Sequence, residues 1–281
     1  MTPVRASYGE RLQQVVRERG PLCVGIDPHP GVLRAWGLDE DVRGLERCAR
    51  GLVEALADDV AVFKPQSAFY EAYGSAGVAV LERVLADVAA TGALSLLDVK
   101  RGDIGSTMDA YARAYLGEGS PLAADAVTLS PYLGFGSLDG AIELAATNGR
   151  GVYVLALTSN REGPQLQHAR TEDGRLVGQV VIDEAADRNA GPGPGHVGVV
   201  VGATIGRADV DFSGLNGSIL APGIGAQGGT AADLVEVFGP AARLVLPSTS
   251  REVMAAGPTA EALHDAVRAT VAAMRAVLPV G

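Results

Sequence analysis

Two lysines and three aspartates fall at the ends of three consecutive apolar runs, a mixture of charges able to stabilise developing charge and to supply a proton donor. Asp27 closes LCVGID (22–27), Lys64 sits near the end of VAVFKPQ (60–66), and Asp98 and Lys100 end LSLLDVK (94–100), with Asp103 three residues further on. Alternate residues of a strand share a face, so Asp98 and Lys100 are expected to point the same way. Asp103 lies where the chain turns outward and need not serve the same pocket. Alternating signs would keep every member ionised, because each ammonium lowers carboxylate pKa values and each carboxylate raises those of the lysines. Such an array can stabilise developing charge without reorganising, and a lysine within it can donate a proton. Structural ion pairing is the competing reading of these residues. Lysine usage favours chemistry: only Lys64 and Lys100 are lysines among 23 basic residues, the other 21 being arginines. Arginine serves as well on a solvated surface, whereas a compact ammonium can give up its proton.

A second constellation is PGIGAQGG (222–229), followed after the next apolar run by TSRE (249–252). Glycine-rich backbone suits the close approach of a phosphate, with N–H groups and a helix N-terminus as donors. Arg251 adds a bidentate cation and Gln227 a side-chain amide. Together they favour a phosphate site over a tight turn alone.

These residues need a frame that brings strand ends together. Eight short runs rich in Val, Leu and Ile recur: 22–27, 60–66, 94–100, 126–132, 151–159, 196–204, 218–225 and 242–250. Helical periodicity fills most gaps, as in GLERCARGLVEAL, VAVLERVLADVAA, TAADLVEVF and TAEALHDAVRATVAAMRAVL. Nearly continuous apolar strands alternating with helices predict a single-domain (β/α)₈ barrel over residues 1–281, an α/β fold whose catalytic groups gather at the C-terminal strand ends. The longest connection, roughly 160–195, contains ARTEDGRL, readable as a small hairpin or an excursion before a helix.

Composition excludes several classes. A net charge of −10 argues against a nucleic-acid surface, so an anionic small substrate would need a local positive site. No apolar run approaches the ~18 residues of a membrane span, and the polar N-terminus lacks a signal-peptide core. Cys23 and Cys48 lack metal spacing and read as reduced thiols of a cytoplasmic protein. His29, His168, His196 and His264 are scattered. No metal or other cofactor is signalled.

At LLDVKRGDIGST (96–107) the chain resembles the orotidine 5′-phosphate decarboxylase family, in its longer bacterial branch. The Asp-x-Lys-x-x-Asp signature is matched by Asp98, Lys100 and Asp103, and FKPQSAFYE, LTSN, PGIGAQGG and SRE follow in order. The signature alone is shared with phosphosugar barrels; Lys64 and the other blocks make the match specific. The resemblance implies cofactor-free decarboxylation of orotidine 5′-monophosphate to UMP in pyrimidine biosynthesis. Lys100 would protonate C6, with Lys64 and Asp98 completing the array together with Asp103 from a partner subunit. Ile104 and Thr107 would also cross that homodimer interface. Asp27 would hold the ribose, Ser159 the pyrimidine, and Gln227 and Arg251 the phosphate, with Pro222 beginning the loop that folds over the substrate. Two other readings stay open: a metal-dependent phosphosugar barrel, whose members generally carry an acid in place of Lys64, and a silent nucleotide-binding regulator.

Overall fold

Each of the eight apolar runs becomes a parallel strand in a computed structural model that describes residues 5–206, 209–225 and 228–278. The strands are β1 (Cys23–Ile26), β2 (Val62–Pro65), β3 (Leu94–Arg101), β4 (Ala126–Leu129), β5 (Gly151–Leu157), β6 (Val197–Val201), β7 (Ile219–Pro222) and β8 (Val245–Thr249). They pair in chain order, and β8 returns to β1 through Cys23↔Ser248 and Val24↔Thr249, closing the barrel. Every strand is shorter than or equal to its apolar run except β3, which extends to Arg101. The surplus residues at the C-terminal ends leave the ladder and become the loops that carry function.

Alternation along the strands divides the core into two layers. Outward side chains, such as Val24, Phe63, Leu97, Val127 and Val154, pack in the layer shared with the helices. The helices Val42–Ala55, Gly74–Thr91, Ala231–Phe238 and Ala260–Val277 coincide with the periodic segments read from the sequence. Inward side chains near the strand starts, including Val62, Leu94, Leu96, Tyr153, Leu220 and Leu246, form a separate apolar cluster.

That inner cluster is capped by a helix the strand pattern does not announce, Tyr8–Arg19, which contributes Tyr8, Leu12 and Val15. Ser7 and Glu10 cap it reciprocally. Gly151 at the start of β5 lets it dock, since a Cβ there would lie 2.4 Å from the Tyr8 ring. Arg11 then pairs with Asp125 at 2.7 Å, and Arg5 pairs with the same carboxylate. Burial works against that charge, but the arginines and the Ser95 N–H hold it below the usual carboxylate range. The polar groups at this end are thus consumed by docking the helix, and the opposite rim carries the remaining buried charges.

The 160–195 connection contains both structures considered for it. After a short helix, Pro164–Gln167, a tight hairpin forms with Arg170 bridged antiparallel to Leu176, and it leads directly into the helix Val177–Arg188. Among the described residues no helix is long and apolar enough to cross a membrane.

Candidate active site

One inward position further along the strands than the apolar cluster, the barrel interior changes character. Lys64 of β2 and Asp98 of β3 are almost fully buried, as are Thr128 of β4 and Ser248 of β8. Four donors converge on the Asp98 carboxylate. Oδ1 accepts from Lys100 Nζ at 2.6 Å and from Thr128 Oγ1 at 2.8 Å; Oδ2 accepts from Gln66 Nε2 at 2.9 Å and from Lys64 Nζ at 3.3 Å. A carboxylate offers about four lone-pair directions, so this one is saturated. Burial pushes its pKa up, but Lys64, Lys100 and these hydrogen bonds outweigh it and bring it down to about 2. Burial likewise disfavours the Lys64 charge, yet Asp98 and Asp27 reverse the balance and raise its pKa. The array is therefore held in its ionised form.

Lys100 reaches Asp98, though not through simple alternation. The β3–β4 register slips between Leu97↔Val127 and Arg101↔Leu129, leaving three residues of β3 opposite Thr128 alone. Lys100 takes the left-handed conformation there, with φ at 46°, the one non-glycine residue among those described to do so. For a residue with a Cβ such backbone costs on the order of 1–3 kcal/mol and persists only where its surroundings impose it. Gly102 completes the turn, because a Cβ there would lie 2.3 Å from the Ser130 carbonyl oxygen.

Beside this network is a cavity of about 180 Å³ whose lining includes Asp27, Lys64, Asp98, Pro222 and Arg251. Asp27 presents a buried Oδ1 with no hydrogen-bond partner among the described residues. Arg251, exposed at the start of the helix Arg251–Ala256, makes no ion pair among them. Two cations, Lys64 and Arg251, thus share the lining with two carboxylates, and Lys100 is tied to Asp98 from outside it. With Asp98 already saturated, Arg251 is the cation left to meet an anionic ligand on a chain of net charge −10. The glycine loop corrects one expectation: the N–H groups of Gly225, Gly228 and Gly229 bond to carbonyls inside the loop, so they are not phosphate donors in this conformation. Gly225 is needed there for its backbone, at φ 75°.

Other expected site residues lie apart. Asp103 accepts from the Ile104 N–H at 2.8 Å and touches neither lysine, while Ile104 and Thr107 are exposed at the rim. Ser159 is exposed at the end of β5, and Gln227 lies outside the described residues. Reading strand ends alone missed Gln66, Thr128 and Ser248. Inward parity was the available signal: Thr128 is two residues beyond inward Ala126, just as Asp98 is two beyond Leu96. Among the described residues no cluster of three or more His, Cys, Asp or Glu side chains is placed to hold a metal.

Comparison with known proteins adds independent findings. Residues 20–266 match the family model described as Orotidine 5′-phosphate decarboxylase / HUMPS family. The orotidine 5′-phosphate decarboxylase of Salinispora tropica is 62% identical across 97% of this chain and 98% of its own length. That of Streptomyces coelicolor is 56% identical across 92% and 94%. A crystal structure from Streptomyces avermitilis, provisionally given the same activity, superposes with a TM-score of 0.94 at 53% identity, covering 98% of this chain and 96% of that one.

The saturated carboxylate has a consequence for stability. A folded pKa of about 2 lies below the ~3.9 of an unfolded aspartate, so its stabilisation is complete above pH ~4 and lost as pH falls through about 2. The shift corresponds to on the order of 2 kcal/mol. Urea unfolding of wild type and Asp98→Asn should show a stability gap that narrows by about that amount between pH ~5 and ~2. A gap independent of pH would contradict the ionised network.

Proposed function

The chain belongs to the orotidine 5′-phosphate decarboxylase / HUMPS family, and from that premise we propose that it decarboxylates orotidine 5′-phosphate to UMP with Lys100 as the proton donor. The observation that carries this over the phosphosugar branch is Lys64, a buried ammonium bonded to Asp98. A divalent cation at that place would meet like charge.

Loss of carbon dioxide breaks the C6–carboxylate bond and leaves the electron pair in the plane of the ring, outside the π system. The Lys100 ammonium stabilises that pair and then transfers its proton to C6, leaving a neutral amine that regains a proton from water. Asp98 holds the Lys100 nitrogen at 2.6 Å and keeps it aimed. The carboxylate also places negative charge beside the substrate's own, which loss of carbon dioxide relieves. Arg251 takes the phosphate, whose distant binding energy helps to hold the reacting ring in place. Asp27, whose Oδ1 has no partner among the described residues, takes ribose hydroxyls, Ser159 and Gln227 contact pyrimidine and phosphate, and Pro222 begins the covering loop.

We further propose a homodimer in which Asp103, Ile104 and Thr107 complete the neighbour's site, with the whole barrel of residues 1–281 as one cytoplasmic domain. Support comes from Asp103, whose carboxylate accepts from the Ile104 N–H and makes no ion pair with the lysines of its own chain among the described residues. Ile104 is 62% exposed, and Tyr132 and Leu133 on the next rim loop are 75% and 51% exposed. Large apolar side chains this exposed at the loops after β3 and β4 suit an interaction surface.

Purified, chelator-treated protein should consume orotidine 5′-phosphate, followed by ultraviolet absorbance; no turnover until a divalent metal is added would overturn the proposed activity. Shared sites predict complementation between inactive Lys100→Ala and Asp103→Ala chains. One site of each heterodimer then carries both lesions and the other neither, so activity should return to about half per heterodimer. Inactive, verified heterodimers would place Asp103 in its own subunit's site.

A further inference from the structure

Thr128 stands where the slipped register leaves a single residue of β4 opposite three of β3. Its hydroxyl accepts from the Val99 N–H at 3.0 Å and the Lys100 N–H at 2.9 Å, and donates to Asp98 Oδ1 at 2.8 Å. A hydroxyl has one proton and two lone pairs. With both lone pairs occupied by N–H groups, its proton has one remaining direction, which is Asp98. The orientation is therefore fixed by saturation. The side chain is also 1% exposed, so water does not compete for these bonds.

We propose that Thr128 is a positioning residue for proton transfer: its hydroxyl takes the place of a ladder carbonyl under the bulge, fixes Lys100 in its left-handed backbone and locks the carboxylate that aims the ammonium. This rests on the reading of Lys100 as the donor. Without the hydroxyl the Val99 N–H would be buried, and the Lys100 N–H part-buried, with no acceptor, and a buried donor left unmade is more costly than the bond itself is worth. The alternative to the Thr128 contact is thus a change of backbone, in which β3 relaxes and the Lys100 side chain leaves its present course. Threonine meets the requirement because its hydroxyl lies on Cβ, within reach of the neighbouring strand, and its methyl group restricts χ1. Valine has the same shape without the hydroxyl. Serine keeps the hydroxyl with more rotamer freedom.

Thr128→Val should lower kcat by about 10²-fold, as expected when an aligned proton donor is lost, while KM and UMP affinity stay within about threefold, because Thr128 is not among the residues lining the cavity. Thr128→Ser should recover most of the lost kcat. Amide hydrogen exchange at Val99 and Lys100 should rise in Thr128→Val and return towards wild type in Thr128→Ser. Should the valine variant fail to fold, Thr128→Cys gives the same comparison with a weaker acceptor, and serine should exceed it in kcat. The proposal is overturned if the valine variant keeps wild-type kcat, if UMP affinity falls as far as kcat, or if cysteine equals serine. A wild-type protein without turnover would overturn the functional reading instead, while the exchange measurement would still decide whether Thr128 holds the backbone.

Discussion

The Asp98 carboxylate is the point on which the charged rim depends. An isolated charge buried to this depth would cost several kcal/mol, and removing one partner from such a pair is strongly destabilising. Here the charge is kept by four donors from three neighbouring strands and their extensions: Lys64 on β2 and Gln66 just after it, Lys100 on β3, and Thr128 on β4. None of these groups lies in a flexible loop tip. Their directions are set by the closed ladder, so the charge array exists before any ligand arrives and needs no reorganisation when charge develops.

The same constraint divides the barrel into two ends. At the strand starts, Asp125 is neutralised by Arg5 and Arg11, and that ion-pair cluster docks the N-terminal helix beneath the apolar inner layer. At the strand ends, the charges neutralise one another only in part. Asp98 is saturated, but Asp27 Oδ1 lacks a partner among the described residues, and Arg251 has no ion pair among them. A buried acceptor and an unpaired guanidinium facing one cavity are ready for a ligand that offers hydroxyl donors at one end and an anion at the other. A phosphorylated ribose meets both requirements, which fits the family to which the chain belongs.

The architecture was largely legible in the sequence because its strands are buried on both faces and read as uninterrupted apolar runs. The charged rim was legible too, since Lys64, Asp98 and Lys100 interrupt those runs at their ends. The N-terminal helix was not, because its apolar face is narrow, Tyr8, Leu12, Val15 and Val16 in a segment otherwise made up mainly of charged and amide side chains. Thr128 was hidden for a different reason. A threonine in a strand has an ordinary explanation in β propensity, and its role appears only once the β3–β4 register is known to slip. The left-handed backbone at Lys100 follows from that slip and carries no sequence mark of its own. The glycine loop announced a turn correctly, whereas the internal use of its N–H groups depends on loop closure that composition does not encode.

The central claim is that Lys100, aimed by Asp98, protonates C6, and it is tested most directly by measuring UMP formation by Lys100→Ala beside its affinity for UMP. With the donor removed and the phosphate site intact, turnover should fall by at least the 10²–10⁴-fold typical of a lost general acid, while the folded protein still binds UMP. Turnover near the wild-type rate, without an added amine, would show that the proton comes from elsewhere and that the network around Asp98 serves only to hold the barrel rim together.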